Sequence, residues 1–294
     1  MVQLESPFKV IALDLDGTIL NSDKKVSENS KRVFQHLNKH YSDVEILLAS
    51  GRAPYLVSPV ETELEVDCSL IGYNGGVCLS KKEGEGRTTV FSKPISKHDA
   101  FDILKYAEEN NHCLNVYGDG IVYAVSKQKQ KADNYATMTG ATYQFIESYY
   151  ELDKMGVEPT KCLIILETDE ECDKLLEKLT ADNTFPNVSL VKSNCKSKTC
   201  AQYYVEFLQQ SVNKGSSVLE FAKLKGYNHD QIVAFGDAEN DIEMLKSVGL
   251  GICLANGTDP TKKISSKVSI YSNDQDGVAR EIVELFNLPK DLIQ

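Results

Sequence analysis

The run FKVIALDLD, residues 8–16, places the tightest constraint on what this chain can become: an apolar, β-branched stretch closes on two carboxylates two positions apart. Residues i and i+2 of an extended segment point the same way, so Asp14 and Asp16 leave the strand together at its C-terminal edge. The apolar runs VEILLAS and CSLIGYNGG follow, and a helix N-capped by Ser27 and reaching about His40 lies between the first two. Wholly apolar strands alternating with helices predict a parallel sheet covered on both faces, the kind of fold that binds ligands at its C-terminal edge. The pattern resumes late in the chain, with a helix from Lys214 to Lys225, strand QIVAFGD, helix DIEMLKSV, strands LGICLA and KVSIYS, and a closing helix from Val278 to about Phe286.

The middle reads differently. VCLS and TTVF form a hairpin around a charged, Gly-rich turn, and Ser96 with Asp99 is a capping box opening a helix to about Asn110. CLNVY and IVYAV form a second hairpin turned by Asp119-Gly120. A helix near 128–139, strand KCLIILE, helix DEECDKLLEKL and strands VSLVKS and YYVEFLQ complete an α+β unit. A chain of 294 residues, 41% hydrophobic, has room for two cores. The expected fold class is α/β: a doubly wound, mainly parallel core from residues 1–90 and 209–294, with an α+β cap inserted at 91–208.

A formal charge of −11 excludes nucleic acid as a partner, because no excess of cations exists to displace counterions. Lys127, Lys129 and Lys131 read as a solvated helix face. No apolar run is long enough to span a bilayer, and the first residues lack a secretory pattern, so a cytoplasmic protein with no membrane partner is expected. None of the eight cysteines forms a CxxC pair, which removes a thiolate-metal or redox module. They read as free thiols, with Cys195 and Cys200 able to pair only in an oxidising compartment. Oligomeric state is not readable.

An anionic substrate would then need a locally positive site. Two carboxylates as close as Asp14 and Asp16 call for a cation between them or for different roles, and a hard divalent ion takes oxygen ligands; the plainer reading is a polar strand end. Ser50, with Gly51 and Arg52, offers a hydroxyl and backbone amides to an anion, though a serine after a strand is more often a helix cap. Lys214 opens a helix, where a cation makes electrostatic sense only beside an anion, unless it is simply solvated. Gly236-Asp237-Ala238-Glu239-Asn240-Asp241 leaves a buried strand with acids that suit a metal or, for Asp241, a helix cap.

These four elements, DLDGT, Ser50-Gly51-Arg52, Lys214-Gly215 and GDAEND, occur in the order and strand context of the haloacid dehalogenase superfamily, and the whole chain resembles its Cof-type branch. YNGG (73–76) is similar to that branch's NGA element, and SNDQDGVA (272–279) to its near-terminal signature; Leu254-Ala255-Asn256-Gly257 departs from the usual Met-Gly-Asn-Ala, which leaves Asn256 without an assigned role. The resemblance implies a Mg²⁺-dependent phosphatase acting on small phosphorylated metabolites, sugar phosphates foremost, through an aspartyl-phosphate. It makes Asp14 the nucleophile and Asp16 the acid and base. Mg²⁺ falls to the Asp14 carboxylate, the Asp16 carbonyl and Asp237, with Asn240 and Asp241 orienting its shell. Ser50 and Lys214 neutralise the phosphoryl group, and Gly51, Arg52, Asn74, Gly75 and Asn273 contact substrate. It also implies a cap that closes over the substrate and selects it, for which Asn115, Tyr117, Asp119, Lys161 and Glu206 are candidates, each equally readable as ordinary sheet surface.

Two rivals share the scaffold. A phosphomannomutase-like transferase would keep both aspartates but usually shows Gly-Gly-Asn-Asp where this chain has Ala238-Glu239-Asn240-Asp241. A silent regulatory relative would lose the nucleophile or the late acids, and all are present here.

Overall fold

The computed structural model describes residues 6–81, 86–118, 120–196 and 201–294. The chain divides into two compact units, 1–91 with 213–294 and 92–212. The expected boundary at 208 lies one residue inside a strand that continues to Gln209, because the antiparallel ladder there runs on to its pair with Val188.

In chain order, the first unit opens with β1 Val10–Leu13, α1 Glu28–His40, β2 Glu45–Ala49, α2 Pro54–Leu64, β3 Ser69–Gly72, β4 Val77–Leu79 and β5 Thr89–Ser92. The second unit holds α3 Lys97–Glu109, β6 Cys113–Gly118, β7 Ile121–Val125, α4 Lys129–Thr139, β8 Tyr143–Ile146, α5 Tyr150–Met155, β9 Lys161–Leu166, α6 Asp169–Ala181, β10 Val188–Lys196 and β11 Ala201–Gln209. The first unit then resumes with α7 Lys214–Leu224, β12 Ile232–Gly236, α8 Ile242–Ser247, β13 Leu250–Cys253, α9 Asp259–Ile264, β14 Lys267–Val268 and α10 Gly277–Leu285.

The first unit's sheet has the order β14-β13-β12-β1-β2-β3-β4-β5, parallel from β14 through β3 and antiparallel between β3 and β4. Its central strands β1, β2, β3, β12 and β13 are buried on both sides, as their unbroken apolar runs require. Ile11, Leu13, Leu48 and Phe235 pack against α1, α2 and α10; Val10, Ala12, Leu47 and Ala234 pack against α7 and α8. β1 sits at the centre, between β2 and β12. Three neighbouring parallel strands therefore end side by side, and the residues that follow them are Asp14, Ser50 and Asp237.

The second unit is a six-stranded sheet, β10-β11-β9-β6-β7-β8. One face carries Leu114, Val116, Ile164, Val205 and Phe207 against α3, α5 and α6. The strand pairs of this sheet are antiparallel except β7 and β8, which run parallel. The sequence pattern announces neither β8 nor α5, each only four to six residues long and too short to show a period of its own. Alternation sends Asn115, Tyr117, Lys161, Tyr204 and Glu206 to the other face, where they are also buried. Asp119 and Cys200 lie outside the described residues, as does the side chain of Cys195. No helix among the described residues is long and apolar enough to cross a membrane.

Candidate active site

Asp14 sits where β1 stops, 6% exposed, its backbone N–H still donating to the Phe235 carbonyl of the neighbouring strand. Lys214 reaches it from the first turn of α7. This helix is set by Asn213, whose side chain accepts from the Ser216 N–H, and the lysine is wholly buried. Its Nζ donates to Asp14 Oδ1 at 2.5 Å and to Asp241 Oδ1 at 2.7 Å. The other Asp241 oxygen accepts from the backbone N–H groups of Asp237 and Ala238, at 3.0 and 3.1 Å, so this acid ties down the turn after β12 as a cap would. Thr18 Oγ1 donates to Asp237 Oδ1 at 3.1 Å. Gly17 has a φ of +84°, and a Cβ there would lie 2.4 Å from Asp237 Oδ2, so only glycine lets the two loops meet.

Asp14, Asp237 and Asp241 bring carboxylate oxygens within 4.8 Å of one another. Burial pushes Asp14 up to about 8, the charge of Asp241 adding to it and Lys214 opposing it. Burial and Asp241 likewise push Asp237 up to about 6. Burial works against the charge of Lys214, but its two aspartate partners outweigh that and hold it cationic. One ammonium against three carboxylates leaves a negative pocket of hard oxygens, a donor set that fits Mg²⁺. Both oxygens of Asp241 are already engaged, so Asp14 and Asp237 are the side chains open to direct coordination.

Asp16 turns to other partners. Its two oxygens take a fork from Arg52, Nε at 2.9 Å and Nη2 at 2.6 Å, and Lys24 Nζ adds a third contact at 2.9 Å. Burial opposes its ionisation, yet Arg52 and Lys24 prevail and hold its pKa below the usual carboxylate value. Ser50 is buried at the end of β2, its Oγ accepting from the Arg52 N–H at 3.2 Å, while the Asn74 N–H donates to the Ser50 carbonyl.

The other expected site residues have protein partners of their own. Asn240, expected in a metal shell, donates to Asn74 Oδ1 at 3.3 Å; it is the exposed middle residue of the helical turn Glu239–Asp241, which carries Asp241 inward. Gly75, φ +116°, packs on the Asn213 carbonyl and its own carbonyl accepts from Ser217, so its place is to seat α7. Asn273, expected to touch substrate, donates through Nδ2 to the Leu20 carbonyl at 2.9 Å. Gly51 follows Ser50 beside Asn74, whose amide would be 3.1 Å from a Cβ there. Thr18 and Lys24 were given no role by the sequence; Thr18 lies within the quoted DLDGT, whereas nothing in the spacing announces that Lys24 folds back on Asp16.

The family model for haloacid dehalogenase-like hydrolases matches residues 11–282. The chain belongs to that family. Its relatives include YitU of Bacillus subtilis, a 5-amino-6-(5-phospho-D-ribitylamino)uracil phosphatase, 26% identical over 97% of this chain and 100% of the relative. The phosphatase YwpJ of the same organism is 27% identical over 94% of this chain and 99% of its own. Among solved structures, TM0651 of Thermotoga maritima superposes with a TM-score of 0.76 at 27% identity, covering 94% of this chain and 97% of that one. The haloacid dehalogenase fold thus accounts for both units of the chain.

Proposed function

We propose that this protein is a Mg²⁺-dependent phosphatase that hydrolyses small phosphorylated metabolites, sugar and polyol phosphates foremost, through an aspartyl-phosphate on Asp14. The coarser statement, a phosphoric monoester hydrolase, follows from its family and whole-length relatives. The observation that carries the finer reading is the wholly buried Lys214 held between Asp14 and Asp241, with Asp237 beside them. A buried carboxylate next to a fixed cation is kept ready for an incoming phosphoryl group.

Asp14 attacks phosphorus. The new O–P bond forms as the bond to the leaving oxygen breaks, and Asp16 gives that oxygen a proton. Water then attacks the aspartyl-phosphate and passes its proton to Asp16, which frees Asp14 and inorganic phosphate. Lys214 and the Ser50 hydroxyl hold the transferring oxygens. Asp14, Asp237 and the Asp16 carbonyl would hold Mg²⁺, with Asp241 fixing the turn that carries Asp237, and the ion would supply positive charge against the phosphate dianion and the acids around it. Arg52 and Lys24 keep Asp16 a carboxylate at rest, the form needed for the second step; for the first, the Arg52 fork turns to the incoming phosphate and Asp16 takes up a proton.

Substrate choice belongs to the second unit. Support comes from its polar sheet face, where the fully buried Asn115 side chain lies beside the Tyr143 hydroxyl and the Lys161–Glu206 pair sits at 2.8 Å. Such groups suit neighbouring hydroxyls, as in the ribityl phosphate named for YitU. The test is phosphate release from a panel of hexose, polyol and ribityl phosphates with Mg²⁺. No release from any ester by the folded protein would defeat the reading, and transfer to a sugar without free phosphate would replace it with a transferase.

A further inference from the structure

Asn256, whose role the sequence leaves open, lies where three segments of the first unit cross. Its Nδ2 donates to the Gly17 carbonyl at 2.8 Å, and its Oδ1 accepts from the Asn273 N–H at 3.0 Å. Asn273 Nδ2 in turn donates to the Leu20 carbonyl, and Asp274 accepts from the Ser22 N–H and hydroxyl at 2.7 and 2.6 Å. Two residues past Asn256, the Thr258 N–H donates to the Asp237 carbonyl at 2.8 Å. The loop that leaves Asp16 is therefore laced at Gly17 to the turn that also grips Asp237, and at Leu20 and Ser22 to the Asn273–Asp274 turn, which Asn256 joins to the first. Gly17 stands directly after Asp16 and against Asp237, so any slack at its carbonyl moves the Asp16 carboxylate against the rest of the site.

We propose that Asn256 and Asn273 are positioning residues that hold Asp16 in register for proton transfer. This rests on the reading of Asp16 as acid and base. Asn256 suits the task because an amide donates at one atom and accepts at the other, and the two segments it joins present one carbonyl and one N–H. Neither residue carries charge toward the phosphoryl group. Their loss should therefore spare the attack by Asp14 and fall on the step in which the leaving oxygen needs a proton.

The test compares kcat/KM for p-nitrophenyl phosphate, whose leaving group departs with little protonation, and for an alkyl ester such as glycerol phosphate, whose alkoxide needs a proton. The variants are Asn256→Ala, Asn273→Ala, both together, Asn256→Gln and Asp16→Asn. Dividing each variant's aryl and alkyl values by those of the wild type removes any prior preference between the two esters. The alkyl-to-aryl ratio should fall about tenfold in each alanine variant, the size expected for one or two lost hydrogen bonds. The double variant should lose little more than the worse single one, since both act through one link. Asn256→Gln, which keeps donor and acceptor, should recover part of the ratio. Equal losses on both esters, or none, in the asparagine variants alongside a selective loss in Asp16→Asn would overturn the proposal and leave the role of Asp16 standing. An unselective Asp16→Asn would overturn both.

Discussion

Where β1 and β12 end, the first unit buries charges. Lys214 is fully enclosed between Asp14 and Asp241, Asp237 is part-buried beside them, and the sum over the four is negative. On its polar sheet face the second unit buries one balanced pair: Lys161 and Glu206 cancel, Ser193 donates to Glu206, the hydroxyls of Tyr117 and Tyr135 bond each other, and Asn115 lies beside Tyr143. Burying unbalanced charge costs free energy that only a counter-ion or an ionic substrate restores, whereas burying a neutral amide without a partner costs about 1–3 kcal/mol. The difference teaches where charge is concentrated: the first unit holds an unbalanced charged cluster, and the polar sheet face of the second holds a balanced pair among neutral groups.

Removing the charge machinery should have the largest effect. Asp14→Asn is expected to abolish phosphate release with the fold intact, and Lys214→Ala to cost at least about a hundredfold in kcat. An Asp14→Asn protein that turns over normally, with mass spectrometry excluding deamidation, would move the nucleophile elsewhere. Chelation followed by dialysis should likewise abolish turnover until Mg²⁺ is restored, and Ca²⁺ should inhibit through its looser, longer coordination. Full activity after chelation would break the comparison at its root.

The metal-free first unit should also carry a pH signature. Asp14, at about 8, and Asp237, at about 6, lie above the unfolded carboxylate value of 3.8. Between these limits the folded state binds more protons than the unfolded one, so stability falls as pH rises. The melting temperature of metal-free protein should drop from pH 5 to pH 8 more steeply than with saturating Mg²⁺. Parallel curves would show that the acids are not the seat of the imbalance.

The smallest effect belongs to the second unit and sharpens the contrast. Asn115→Leu replaces a fully buried amide beside Tyr143 with an apolar side chain of similar size, so it should change stability by no more than about 1 kcal/mol in thermal or urea unfolding. The same change should lower kcat/KM for the best sugar or polyol phosphate roughly tenfold while p-nitrophenyl phosphate changes little. A loss of several orders of magnitude on both esters would mean that this unit supplies a catalytic group.

Much of the first unit was legible because its determinants are local. A strand's period, an acid at its end and a glycine after it lie within a few residues, and DLDGT shows all three. The second unit's elements were legible where they were long, as in α3 and α6, and lost where four or six residues carry no period, as in β8 and α5.

The sequence by itself determined the doubly wound core, the insertion and the set of acids and lysine that work together. Only the tertiary structure decided how those groups are shared out: that Asp241 spends both oxygens on Lys214 and a turn, that Asp16 rests on Arg52 and Lys24, and that Asn273 donates to Leu20. The reason is physical. Residue type and spacing fix which groups reach the end of a strand, but hydrogen-bond partners 27, 36 and 253 positions apart are chosen by which loops cross once the sheet has closed.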